Sequence, residues 1–212
     1  QNEIDFRYSD ALTAADNTMT FQTAVKTVCR RNGVFVDFGP KPIYDKPGNG
    51  FHINMSVKPC ENSENLCYMI AGVLDKVIDM TAFLNPTEDS YKRFGKHKAP
   101  KYVSWSSENR SHLVRIPAAV GEYRRAELRS PDPTANPYLA FTLMIYAALD
   151  GIKNKMDLPN PANTNLFKAD SKTLSQFKKL PDSLNEAQKI AVSSDFIKQH
   201  IPSAILNIYC NR

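Results

Sequence analysis

No stretch of the 212 residues approaches 18 continuous apolar positions, so no membrane-spanning helix is expected. Cys29, Cys60, Cys67 and Cys210 show no CxxC spacing, and no His-rich tract accompanies them, which argues against a zinc site. Reduced thiols in a cytoplasmic chain are the expectation, with a small Cys60–Cys67 loop as the alternative in an oxidising compartment. No nucleic-acid-binding motif accompanies the net charge of +5, and the basic residues are scattered apart from 92–101 and Lys178-Lys179. Small anionic substrates explain that excess as well as nucleic acid does. Neither an internal repeat nor a low-complexity tract is present, and no segment reads as a signal peptide.

What is present is ordinary globular composition, 42% hydrophobic and 23% charged, in a chain long enough to bury a core without staples. The most informative stretch is 110–137. Within it, 125–129 reads as a strand that sends Arg125, Glu127 and Arg129 to one face and Ala126 and Leu128 to the other. A carboxylate between guanidiniums is an odd core face. With Arg110 and Arg115 just upstream, it suits a pocket: the carboxylate for a hard cation, the arginines for phosphate or carboxylate groups. An exposed salt-bridge ladder is the plainer alternative.

Further strands are expected at 2–8, 34–38, 51–57, 102–104 and 112–116. The third presents His52, Asn54 and Ser56 on one face. Helices are expected from a Ser9 or Asp10 cap to a stop at Gly33, over 64–84 and over 136–155, the last apolar almost all round and so buried. Shorter helices are expected at 173–177, 183–192 and 195–208. Strands interrupted by long helices indicate an α+β fold.

The sequence resembles the glutamine synthetase catalytic domain. NRS-x-x-x-RIP at 109–117 and ELRSPDP-x-x-NPYLAF at 127–141 carry the resemblance. So do QNEI at 1–4, FGPKP at 38–42, GNGFHINMS at 48–56, NPT at 85–87 and SYKR at 90–93. It implies a curved antiparallel sheet, a half-barrel packed against helices. Residues 1–155 would be the core of that domain and 156–212 its helical extension. The first residue is Gln1, and the resemblance implies an N-terminal β-grasp domain and a first part of the catalytic domain outside this sequence.

The implied chemistry is ATP-dependent ligation of ammonia to glutamate through a γ-glutamyl phosphate, in a ring-shaped homo-oligomer. Glu3, His52 and Glu127 match metal ligands for Mg2+ or Mn2+. From the strand alone, His52 reads equally as a hydrogen-bonded core histidine. Arg110 and Arg115 match positions near the transferred phosphate, and Arg93 and Arg129 match positions that hold substrate carboxylate. Gly48 and Gly50 would let the backbone approach the substrate. Asn54, Ser56 and Arg125 match the nucleotide site, a solvated strand edge being the alternative for the first two. The sequence departs from the family at Lys98, where relatives carry a flap glutamate that helps deprotonate ammonium. A lysine there would repel ammonium or pair with the acyl phosphate. A silent paralogue that binds glutamate or nucleotide, or a γ-glutamyl ligase for another amine, is the rival expectation. Phe167 stands where adenylylated relatives carry a tyrosine, so that modification is not expected.

Overall fold

The computed structural model describes residues 2–58, 63–119 and 121–210, and its architecture is α+β. Four short strands form one open sheet in the order β1-β4-β3-β2: β1 Ile53–Met55, β2 Trp105–Ser106, β3 Val114–Arg115 and β4 Ala126–Leu128. β4 pairs antiparallel with β1 and with β3, whereas β2 pairs parallel with β3, so the sheet is mixed.

Two long helices back the sheet, α2 Ser63–Leu84 and α4 Pro137–Lys153. Asn136 caps α4 by accepting from Tyr138 N–H and Leu139 N–H, and Pro137 fills a first-turn position that needs no donor. The two helices touch backbone to backbone. A Cβ on Gly72 would stand 2.1 Å from the Ala147 carbonyl oxygen, and one on Gly151 would stand 2.1 Å from that of Tyr68. Only hydrogen fits at this crossing, and the core gathers around it: Met69, Val73, Val77, Leu143 and Met144 from the helices, Ile53, Val114 and Leu128 from the sheet. α4 is not buried all round as its composition suggested. Its Tyr146 and Leu149 remain 43% and 53% exposed, although the Tyr146 ring stacks on His200.

The other helices follow their caps. Asp10 accepts from Thr13 N–H to start α1, Ala11–Arg31, which ends at Asn32 just before Gly33. A short α3, Glu88–Tyr91, follows the Asn85-Pro86 stop. α5 spans Ser171–Leu174 and α6 Leu184–Ser193. The helix expected over 195–208 is two, α7 Asp195–His200 and α8 Ser203–Cys210, with Pro202 between them. Proline has no N–H to continue the ladder and disfavours helix in the residue before it.

The strands expected at 2–8 and 34–38 do not form. A strand exists through its ladder, and no described segment pairs with either one. Phe6 and Phe38 instead meet Phe21 of α1 edge-on, with centroids 5.2 and 6.1 Å away. The strand at 51–57 contracts to its middle three residues. That at 102–104 begins three residues later, at Trp105–Ser106, Tyr102 making only an isolated bridge to Lys179. Cys60 lies outside the described residues, and Cys67 is a free thiol.

Candidate active site

The strand registers place one polar row across the sheet. Asn54 of β1 stands opposite Glu127 of β4, Glu127 opposite Arg115 of β3, and Arg115 beside Ser106 of β2. The alternate row, Ile53, Leu128, Val114 and Trp105, belongs to the core side. Period-two alternation therefore puts a charged face and an apolar face on strands only two or three residues long.

Glu127 is the centre of the row. Its Oε2 accepts from Arg115 Nε at 2.6 Å, and its Oε1 accepts from Arg129 Nη1 at 2.9 Å. His52 Nδ1 lies 3.1 Å from the same Oε1. Burial raises the Glu127 pKa, but the His52 and Arg115 hydrogen bonds and the Arg129 charge outweigh it, and the carboxyl falls from its ordinary 4.5 to about 2. Burial pushes the Arg129 guanidinium down while Glu127 holds it up, and the charges of Arg115 and Arg110 push it down further. One carboxylate thus faces two arginines and an imidazole, an excess of positive charge suited to an anion. Arg129 Nε is buried and has no hydrogen-bond partner among the described residues, so the cluster retains an unused donor.

The remaining expected residues divide. Arg125 donates from Nε to Asn54 Oδ1 at 3.2 Å, joining two residues expected at the nucleotide on the rim of the row. Ser56 is half-buried just beyond the end of β1, and Arg110 is exposed in the turn before β3. Glu3 is exposed in the irregular N-terminal segment and does not join His52 and Glu127. Among the described residues no three His, Cys, Asp or Glu side chains come together in a metal-binding group. His52 and Glu127 therefore fit a divalent cation in donor type and proximity, as part of a ligand set.

Lys98 is exposed at the tip of a tight turn in which Lys96 and Ala99 pair. Its φ is 116° and that of His97 is 56°, both in the left-handed region. Turns with positive φ at both central residues ordinarily use Asn and Gly. The His97-Lys98 pair carries no such signature, and the turn was not legible in the sequence.

Arg93 is not on the charged row. It is 3% exposed, its Nη1 and Nη2 donate to the carbonyls of Ser130 (3.1 Å) and Pro131 (3.3 Å), and Nη1 lies 3.5 Å from Asp132 Oδ2. Asn85, at the end of α2, donates to the same Ser130 carbonyl and to Asp132 Oδ2. Sequence reasoning missed Asn85 and Asp132, both fully buried, because both stood only inside the NPT and ELRSPDP motifs that carry the resemblance, with no role of their own.

The fold and site define an α+β domain whose open sheet carries a cationic cluster around one carboxylate. The model of the glutamine synthetase catalytic domain matches residues 1–212. Similar proteins include the glutamine synthetases of Methanosarcina mazei, 41% identical over 99% of this chain and 50% of the relative, and of Clostridium saccharobutylicum, 40% identical over 99% and 51%. That of Staphylococcus aureus is 39% identical over 100% of this chain and 51% of the relative. A solved structure described as a GmaS/ADP complex superposes with a TM-score of 0.85 at 28% identity, over 97% of this chain and 51% of that one. The chain belongs to the glutamine synthetase family, through its catalytic domain. It spans about half the length of the curated relatives it matches.

Proposed function

We propose that this chain is the catalytic domain of an ATP-dependent ligase that joins ammonia to glutamate. The observation that carries the reading is Glu127 held between His52, Arg115 and Arg129 on the charged row, in a chain whose whole length matches the family. In this reaction a γ-carboxylate oxygen of glutamate attacks the γ-phosphorus of ATP, ADP leaves, and ammonia then displaces phosphate from the acyl carbon. Such transfers are accelerated mainly by positioning and by neutralising charge. Arg115 and Arg110 would neutralise the transferred phosphoryl group, and Arg129, anchored through Nη1 to Glu127, would hold substrate carboxylate. Arg125 and Asn54, already joined, would border the nucleotide. A Mg2+ or Mn2+ ion held in part by His52 and Glu127 would supply further charge at the phosphate oxygens. The reading brings with it a cytoplasmic location and a ring-shaped homo-oligomer.

A second reading, binding of glutamate or nucleotide without turnover, is favoured by Lys98 on the exposed turn, where it cannot accept a proton from ammonium while charged. Phosphate release from ATP with glutamate, with and without ammonium, separates the two when the natural polypeptide is compared with its Lys98→Glu variant. Ammonium-dependent release in the unmodified protein supports the ligase. Release only in the variant transfers the conclusion to the binding reading.

A further inference from the structure

Asp132 joins three parts of the fold through one carboxylate. Pro131 and Pro133 have no N–H to offer a ladder, and the carbonyls of Ser130 and Pro131 accept from Arg93 instead. Asp132 Oδ1 accepts from the Thr134 N–H at 2.9 Å and from the Thr134 hydroxyl at 2.5 Å, which closes the turn after β4. Its Oδ2 accepts from Asn85 Nδ2 at 3.1 Å, past the end of α2, and faces Arg93 Nη1 at 3.5 Å, past the end of α3. Asn85 Nδ2 also donates to the Ser130 carbonyl at 2.8 Å, and the Asp132 N–H donates to the Leu84 carbonyl at 3.2 Å. Burial pushes the Arg93 pKa down and the Asp132 charge holds it up.

A guanidinium carries five N–H groups, and this cradle engages only some of them. Nη2, which donates to the Pro131 carbonyl at 3.3 Å, lies 3.7 Å from where a Cβ on Gly50 would stand. His52 Nε2 lies 2.9 Å from the same point. The guanidinium edge and the imidazole of the charged cluster thus meet at a residue without a side chain.

We propose that Asp132 is a positioning residue: with Asn85 and Thr134 it fixes the Ser130 and Pro131 carbonyls and so aims Arg93 across Gly50 at the substrate carboxylate. The proposal rests on the ligase reading and on the carboxylate-holding role that the resemblance implies for Arg93. Asp132 itself touches no substrate, being fully buried. Two carbonyls alone would leave a buried positive charge uncompensated, and Asp132 supplies the counter-charge. A guanidinium fixed beforehand need not be ordered when the carboxylate arrives, which favours binding.

The test uses the natural polypeptide in its native assembly, with Asp132→Asn, which keeps the shape and removes the charge, and Thr134→Val, which removes one hydroxyl at an exposed position. KM values for glutamate and ATP are measured, together with glutamate affinity by calorimetry. The glutamate KM should rise about tenfold in Asp132→Asn and about threefold in Thr134→Val, with the ATP KM within twofold. In an Arg93→Lys background Thr134→Val should add nothing, because it acts through the arginine. Glutamate and ATP constants that rise together make the cluster merely structural and overturn the proposal. An unchanged glutamate KM in Thr134→Val does the same, and decides the matter if Asp132→Asn does not fold. An unmodified protein without turnover refutes the ligase reading alone, since glutamate affinity still reads the arginine in each variant. One that binds no glutamate refutes both.

Discussion

Arg115 and Glu127 stand directly opposite each other on β3 and β4, and the arginine donates its Nε proton to the carboxylate across 2.6 Å. The pairing gives Glu127 a structural role apart from any ligand. Glu127→Gln removes the negative charge between Arg115 and Arg129 and leaves the buried Arg129 guanidinium without its counter-charge. The expected cost is about 3–5 kcal/mol of stability, read by urea denaturation at neutral pH. A loss below about 1 kcal/mol would mean that the cluster is solvated in solution.

The same cluster sets an acid limit. Glu127 falls from an ordinary pKa of 4.5 to about 2 on folding, so the unfolded chain takes up a proton first as pH falls. The stabilisation is complete above about pH 4.5 and is lost as pH falls from there to about 2. Linkage sets it on the order of 3 kcal/mol. Stability measured from pH 6 down to pH 3 should therefore decline more steeply in the natural protein than in Glu127→Gln.

Arg125 tests the nucleotide edge. Its bond to Asn54 is exposed, so Arg125→Met should change unfolding stability by no more than about 0.5 kcal/mol. If the residue borders ATP, the same substitution raises the KM for ATP about tenfold and leaves that for glutamate within twofold. Equal changes in both constants would place Arg125 elsewhere in the site.

The face that Glu127 shares with Arg125 and Arg129 was legible because alternation along a strand is a local property, and Asn54 followed from the same rule on β1. The buried anchorage of Arg93 was not legible. Whether an arginine points to ligand or backbone depends on what lies behind it, here Ser130 to Asp132, some forty residues away in sequence. The strands expected at 2–8 and 34–38 show the same limit. Their alternation is real, but a ladder needs a partner that no local pattern supplies. The long helices were placed to within two residues because caps and apolar stripes are read within the helix itself.

The α2–α4 crossing should be intolerant of any side chain. Gly72→Ala and Gly151→Ala each bring a methyl within 2.1 Å of a backbone oxygen, so the helices must part and the surrounding core must loosen. Each should cost about 3 kcal/mol, a drop of roughly 10 °C in Tm for a protein of this size. Helix propensity alone would make alanine stabilising by up to about 1 kcal/mol, so the sign decides whether the contact governs.

Lys98 offers a test that separates backbone from charge. Its φ of 116° is one that a Cβ disfavours, and His97 beside it also has positive φ. Lys98→Gly relieves that strain at the expense of a freer unfolded chain, and the expected net gain is about 0.5–1 kcal/mol, read as a rise in Tm. Lys98→Glu keeps the strained backbone and changes only the charge, so its Tm should match that of the natural protein. If glutamate restores ammonium-dependent phosphate release and glycine does not, the charge at this turn controls the chemistry. If both restore it, the positive charge of the lysine is what obstructs the reaction, since glutamate keeps the strained turn; release with glycine alone would implicate the backbone.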